Sequence, residues 1–175
     1  GNTGVRLSTS NSANHGDIGS NAVDLSYSNS SSSTRGATGN YSVAMGYITE
    51  ASGGSSTAMG EGTTASGVGS TAMGGNTTAS GLASTAMGRG SEASEQDSTA
   101  MGYYTIASGE GSTAMGVNTI ASGHRSTAMS SETTASGYGS TAMGENSIAS
   151  GDLSTAIGYG ACLLYTSDAA DEASS

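Results

Sequence analysis

The large apolar side chains of this chain recur once every fourteen residues. From Ser42 to Leu153 the unit S-T-A-M-G-x-x-T-x-A-S-G-x-x is repeated eight times with few changes, and a ninth copy begins at Ser154. The fourth position of the unit holds every methionine of the chain, and isoleucine in the ninth copy: Met45, Met59, Met73, Met87, Met101, Met115, Met129, Met143 and Ile157. Such a fixed short period predicts a repeat architecture.

The unit is too short for a pair of helices, which takes about 33 residues or more. Fourteen is a multiple of seven, but each unit contains two Gly and several Ser and Thr, which are unfavourable inside helices. A coiled coil also needs two apolar positions in each heptad. The pattern therefore predicts an all-β parallel β-solenoid (a β-roll) with one coil per fourteen residues. Its strands are S-T-A-M-G and T-x-A-S-G, and the x-x pairs form corners where Gly supplies backbone freedom.

Alternation along each strand sorts the side chains onto two faces. Ser, Ala and Gly of the first strand share one face, and Thr and Met share the other. In the second strand, Thr, Ala and Gly lie opposite the variable residue and Ser. A coil this narrow accepts only small side chains, so we predict that Ala points inward and Met outward. The resulting apolar ladder would rarely stay exposed on a monomer, and we predict that it is the subunit interface. The alternative, with Met inside and Ala outside, would remove this argument for association.

Composition narrows the classes of function. The net charge is −10, Arg is the only strongly basic residue type, and Pro, Trp and Phe are absent. Few large aliphatic residues would suggest disorder, but the repeat gives the small residues a geometric purpose. Without a basic stripe the chain is not expected to bind nucleic acid or an anionic membrane surface. No apolar run is long enough to span a bilayer, so we expect no membrane insertion.

The unit S-T-A-M-G-x-x-T-x-A-S-G resembles the head repeat of trimeric autotransporter adhesins, which reads approximately S-V-A-I-G-x-x-S-x-A-x-G-x-x. Ser42–Gly46 is the nearest copy, and Ser154–Gly158 keeps the family's isoleucine. The resemblance implies a left-handed β-roll, a homotrimer and an adhesin that serves attachment and virulence. It also implies exposure at the cell surface, with an outer-membrane anchor in a C-terminal region outside this sequence. Two copies depart from the unit: Ser130 replaces the first Gly and Glu95 the second, and each predicts a local bulge or altered corner.

Three regions are expected. Residues 1–41 are a degenerate lead-in with a Ser-rich linker, Ser28–Ser33, and one possible strand, Ala22–Tyr27. Residues 42–161 are the β-roll repeats. Residues 162–175 break the repeat, and the run C-L-L-Y-T-S-D-A-A-D-E resembles the translation of a transposase sequencing adapter. We therefore expect that the single cysteine, Cys162, is not native. The lead-in also resembles those of large repetitive fibres with a self-cleaving chaperone domain, such as phage tail fibres, which is the alternative function.

No pattern of catalytic or metal-binding residues emerges. His15 and His124 lack partners at the spacing that a zinc site or a catalytic triad needs. The carboxylates occupy scattered variable positions, and no Asp recurs as it does in calcium-binding β-rolls. A phosphate loop needs a lysine, which the chain lacks. We expect neither enzymatic activity nor a cofactor nor a bound metal.

The variable positions are where a ligand surface is expected. Apolar and aromatic residues occupy several of them. The candidates for an exposed ligand surface are Tyr47, Tyr103, Tyr104 and Tyr138, beside Tyr159, Ile106, Ile120 and Ile148. Weak contacts repeated along a rod and across three chains would give avidity. The expected partner is a host matrix protein, a glycan or another cell surface. The regular Thr column could instead bind ice, but it lies on the Met side that we expect to be buried.

Overall fold

The computed structural model describes residues 3–7 and 11–163. Its strands form a parallel β-solenoid in which each coil gives one strand to each of two sheets, one of 11 strands and one of 10. The described residues contain no α-helix and one 3-10 turn, Ser12–Asn14. The prediction of an all-β parallel solenoid with one coil per fourteen residues is confirmed.

The two sheets differ in strand length. The long-strand sheet consists of β1 Val5–Arg6, β2 Val23–Tyr27, β4 Val43–Tyr47, β6 Thr57–Glu61, β8 Thr71–Gly75, β10 Thr85–Arg89, β12 Thr99–Tyr103, β14 Thr113–Val117, β16 Thr127–Ser131, β18 Thr141–Met143 and β20 Thr155–Ile157. The short-strand sheet consists of β3 Gly36–Ala37, β5 Glu50–Ala51, β7 Thr64–Ala65, β9 Thr78–Ala79, β11 Glu92–Ala93, β13 Ile106–Ala107, β15 Ile120–Ala121, β17 Thr134–Ala135, β19 Ile148–Ala149 and β21 Cys162–Leu163.

Strand register turns each position of the repeat into a straight column. Thr57 pairs with Thr71 and Met59 with Met73, and the same offset holds from coil to coil. Neighbouring strands lie about 4.7–4.9 Å apart, which is therefore the spacing within a column. Any side chain type that recurs in the unit forms a ladder at that spacing.

The interior is built from small side chains. The Ala columns of both sheets are fully buried, as at Ala58 and Ala65, and so are the Ser56 and Thr63 columns. This confirms that the Ala-bearing faces point inward. The narrow interior explains the composition, since Ala, Ser and Thr side chains fill it throughout the repeats.

One placement in the first strand is wrong. Alternation predicts that Gly60 points inward with Ser56 and Ala58, but Gly60 is exposed and its φ is +118°. A Cβ atom at Gly60 would lie 2.0 Å from the carbonyl oxygen of Gly74 in the next coil. The backbone therefore leaves the extended conformation at this position, and glycine is required because the next coil approaches so closely.

The two departures from the unit have different local effects. Strands β14 and β16 pair over five residues, up to Val117 and Ser131, whereas β16 and β18 pair over three, ending at Met129 and Met143. The pairing stops one residue before Ser130, whose Cβ atom needs room beside the next coil, and β18 and β20 also pair over only three residues. Glu95 is exposed, whereas the Gly in its position is buried in the other coils of the repeat tract.

The sheets also run through the lead-in. Val23 pairs with Val43 and Leu25 with Met45, so β2 continues the long-strand sheet at an offset of twenty residues instead of fourteen. The predicted strand at Ala22–Tyr27 is confirmed as Val23–Tyr27. In the short-strand sheet the fourteen-residue offset already holds at β3, where Ala37 pairs with Ala51. At the other end, Cys162–Leu163 pairs with β19, and residues 164–175 of the suspected adapter segment lie outside the described residues.

Candidate interface and ligand surface

The methionines form one stripe on the outer surface of the long-strand sheet. We call Met45, Met59, Met73, Met87, Met101, Met115, Met129, Met143 and Ile157 the Met stripe. Met45 is 39 % exposed and Ile157 is 63 % exposed, and the other members are half-buried, whereas the Ala residues beside them are buried. The alternative with Met inside the coil is therefore wrong.

The lead-in lengthens the Met stripe. Leu25 pairs with Met45 and is 39 % exposed, so an apolar side chain occupies the methionine column one coil earlier. Sequence reasoning missed this residue because the offset is not fourteen. The signal was the string Val23-Asp24-Leu25, which has the same alternation as Val43-Ala44-Met45.

The four candidate tyrosines do not form one surface. Tyr47 and Tyr103 are the last residues of β4 and β12 and Tyr104 follows β12, whereas Tyr138 lies at the opposite corner. Tyr47 stacks on Tyr27, with ring centroids 6.1 Å apart and planes at 23°. The Tyr103 and Tyr104 rings meet edge to face at 4.5 Å.

A second group of side chains surrounds Tyr138. Its ring stacks on His124 at 5.4 Å and 15°, and its hydroxyl accepts a hydrogen bond of 3.4 Å from Arg125 Nη1. Nε2 of His124 lies 3.3 Å from Glu110 Oε2, and the Tyr138 backbone N–H donates to Asp152 Oδ1 at 2.9 Å. One corner column contains, in order, Glu110, His124, Tyr138 and Asp152. They are fourteen residues apart, so the repeat makes them neighbours, but their contacts were not predicted from the sequence.

A charged group lies inside the lead-in coils. Asp24 occupies the interior position that Ala44 holds in the next coil, and it is fully buried. Its Oδ2 atom lies 2.7 Å from Arg6 Nε and 3.4 Å from His15 Nδ1, and Ser26 Oγ donates to Oδ1. Burial lowers the pKa of His15, the Asp24 carboxylate opposes that shift, and Arg6 and Arg35 reinforce it.

The described residues contain no group of three or more His, Cys, Asp or Glu side chains placed to hold a metal ion. Their surface has no pocket. None of their helical segments has the length and apolarity needed to cross a membrane.

These features define a rod of identical parallel coils with an apolar stripe along one side. The model of the YadA head domain repeat, which spans two copies, matches residues 37–62, 51–77, 79–105, 107–129 and 135–161. The chain therefore belongs to the family of YadA head domain repeats, the head repeats of trimeric autotransporter adhesins, and the resemblance seen in the sequence is confirmed. A search of curated proteins found no match.

Proposed function

We propose that this chain is the head of a cell-surface adhesin that acts as a homotrimer and attaches to its target without enzymatic activity. The Met stripe is the observation that supports the proposal most strongly. It is a continuous apolar column on the outside of a chain whose interior holds little besides Ala, Ser, Thr and Gly. A partner that covers the stripe removes it from water.

The stripe supplies enough apolar surface for association. Burying one methionine side chain fully is worth about 1.5–3 kcal/mol, and the stripe contains eight methionines. They are already half-buried, so each contributes a fraction of that value. Association costs about 4–15 kcal/mol in lost freedom of motion. The summed contribution of the stripe is of the size needed to offset this cost.

The rod shape suits three parallel chains in register. Each column is straight, so a chain that docks on one coil meets the same side chains on every other coil. In a trimer with closed cyclic symmetry, the three Met stripes cover one another. The corners that carry Tyr103, Tyr104 and Tyr138 face outward in this arrangement, and each is present three times.

The attachment surface consists of these corners. A matrix protein, a glycan or another cell surface would bind side chains that protrude from the rod, because the described surface has no pocket. Binding of the trimer to arrays of matrix proteins and glycans tests this part of the proposal, and variants at Tyr103, Tyr104 and Tyr138 then locate the surface.

Introducing charge into the stripe tests the interface. In the triple variant Met73→Asp, Met87→Asp and Met101→Asp, each chain carries three carboxylates in a stripe that the trimer would keep dry. An unpaired buried charge costs several kcal/mol, so the mass should fall from three chains to one chain of 16.8 kDa. Light scattering measures the mass, and circular dichroism shows whether the separated chain keeps its β-structure.

The matched control places the same three charges on a corner. Val68, Leu82 and Gln96 are exposed and lie in consecutive coils of one corner column. Changing them to Asp should leave the three-chain mass unaltered. A three-chain mass that survives in the Met variant, or is lost equally in the corner variant, would refute the Met stripe as the interface.

A further inference from the structure

Two consecutive tyrosines protrude from the rod where strand β12 ends. Tyr103 is 43 % exposed and Tyr104 is 51 % exposed. Their rings meet edge to face with centroids 4.5 Å apart, an arrangement that is favourable for aromatic pairs. A tyrosine has only two side-chain torsions to immobilise when it binds a ligand. The pair is therefore a large and partly preorganised contact surface.

Gly90 in the preceding coil gives the Tyr104 ring its place. A Cβ atom at Gly90 would lie 2.6 Å from Cε1 and 2.7 Å from Cδ1 of Tyr104, so the ring occupies the space that a side chain would need. The backbone at this corner accepts other residues, because Asn76 and Asn118 of the same column also have a φ of 53°. The missing side chain at Gly90 thus positions the Tyr104 ring.

Arg89 adds a positive charge beside the two rings. It is the last residue of β10 and pairs with Tyr103 of β12, so the two side chains leave adjacent coils about 4.7–4.9 Å apart. Arg89 is exposed, and no carboxylate of the described residues forms an ion pair with it. Its nearest column neighbour on the other side is Gly75. An available cation therefore lies next to the rings in a chain with a net charge of −10.

This combination suits a sugar that carries a carboxylate. The C–H groups on one face of a pyranose pack against an aromatic ring, and a guanidinium binds a carboxylate through two parallel hydrogen bonds. The exposed amide of Asn118 can donate to and accept from sugar hydroxyl groups. We propose that Arg89, Tyr103, Tyr104 and Asn118 bind glycans that end in an acidic sugar. The inference rests on the proposed adhesin function and narrows its target to acidic glycans.

The opposite corner supplies a matched comparison. Arg125 there donates to the Tyr138 hydroxyl, and the ring of His124 stacks on that of Tyr138. Glu110 and Asp152 contact this pair with their carboxylates. An anionic sugar would meet two negative charges and an arginine that already has a partner. This corner should therefore not bind it.

NMR of the tyrosine rings in the full chain, titrated with sialyllactose, tests the site. Lactose is the same oligosaccharide without the acidic sugar, and a disaccharide ending in glucuronic acid carries its carboxylate on a different sugar. We expect sialyllactose to shift the resonances of Tyr103 and Tyr104 and to leave Tyr138 unchanged. Lactose should bind about tenfold more weakly, because the charge-assisted hydrogen bonds are lost. The glucuronic acid arm shows whether uronic acids are targets as well as sialic acids.

Four variants assign the contributions of single residues. Arg89→Gln should weaken sialyllactose binding about tenfold and leave lactose binding unchanged. Tyr104→Ala and Gly90→Ala should weaken both sugars, the first by removing the ring and the second by displacing it. Arg125→Gln removes a cation from the opposite corner and should change neither affinity. Circular dichroism verifies the β-structure of each variant.

Several results would overturn the site. They are an unchanged sialyllactose affinity in Arg89→Gln, an equal loss in Arg125→Gln, and equal binding of lactose and sialyllactose by the parent chain. The mass of every sample is measured in parallel. A trimer that binds a matrix protein but neither acidic sugar would support the proposed adhesin function and refute this inference. A single chain that binds acidic sugar at Tyr103 and Tyr104 would support the site and refute the proposed trimer.

Discussion

Buried hydroxyl groups are the residue-scale feature that most distinguishes this interior from an ordinary apolar core. Thr63 Oγ1 is buried without a hydrogen-bond partner, and the same is true of Thr49, Thr77, Thr119 and Thr133. Thr105 differs, because its hydroxyl donates to Ser91 Oγ at 2.9 Å. The shape of threonine fits the column at both Thr63 and Thr105, but only the Thr105 hydroxyl has a hydrogen-bond partner.

This contrast gives a matched pair of substitutions. Thr63→Val keeps the shape and removes an unsatisfied buried group, so it should raise the free energy of unfolding by about 1 kcal/mol. Thr105→Val removes a hydrogen bond and should lower that free energy by about 1 kcal/mol. Chemical denaturation followed by circular dichroism measures both. Equal effects of the two substitutions would mean that the hydroxyl groups do not matter to stability.

The backbone conformation of Ser130 conflicts with its side chain. Its φ is +102°, in a column where the other coils of the repeat tract have glycine, and the pairing of β16 with β18 ends one residue before it. We predict that Ser130→Gly restores pairing over five residues and slows hydrogen exchange of the backbone near Gly144 and Glu145. The reverse change, Gly116→Ser, should open the pairing of β14 with β16. Unchanged exchange in both variants would rule out the side chain as the cause.

At the scale of the element, the lead-in coils differ from the repeats in having a charged interior. Asp24 accepts from Arg6 and Ser26 where the repeats place Ala, and Arg35 Nη1 donates to Ser28 Oγ at 2.9 Å across the Ser-rich stretch. These interactions substitute for the apolar contacts that the Ala columns supply elsewhere. Because they involve a titratable histidine, the lead-in coils should respond to pH differently from the repeats.

The sign of that response follows from the lowered pKa of His15. An unfolded histidine has a pKa of about 6.5, and burial lowers the pKa of His15 in the fold despite the nearby Asp24 carboxylate. Below about pH 6.5 the unfolded form therefore binds more protons, and the lead-in coils lose stability until the pH reaches the folded pKa. Above that range the full stability is present.

Hydrogen exchange measures this difference coil by coil. Between pH 7.5 and about pH 5, protection should decrease at Gly16, whose N–H donates to Arg35 O, and in β2, after correction for intrinsic rates. The coils from Thr57 onward should keep theirs. His15→Gln removes the titrating group, so the same pH response in that variant would contradict the assignment to His15.

The sequence predicts the regular part of each element well and its exceptions poorly. One fourteen-residue unit was enough to assign both strands and to favour Ala58 inside and Met59 outside, because a narrow coil accommodates small side chains better than large ones. The position of Gly60 was missed because alternation assumes an extended backbone. In the lead-in only the strand Ala22–Tyr27 was predicted, and its place in a coil was not. Asp24 stands where the repeats have Ala, and the offset between paired strands is twenty residues instead of fourteen.

At the scale of the whole molecule, the chain is a rod with a regular surface, the Met stripe, and variable surfaces at its corners. The Met stripe has methionine in eight successive coils and isoleucine in the ninth, whereas the corner columns vary from coil to coil, as in Val68, Leu82, Gln96 and Glu110. A regular surface suits contact with identical chains, and a variable surface suits contact with a ligand. The sequence predicted the stripe as a whole because one period defines it. It did not predict the cluster around Tyr138, which depends on side-chain rotamers at four coils.

Solvent accessibility of the methionine methyl groups in the full chain tests the central claim most directly. A soluble paramagnetic agent broadens the NMR resonances of groups that it can approach. If the stripe is the subunit interface, the methyl resonances of Met59 to Met143 should be protected, while the exposed rings of Tyr103, Tyr104 and Tyr138 are strongly broadened. Methionine methyl groups as strongly broadened as those rings, in a sample with the mass of three chains, would show that the chains associate through a different surface.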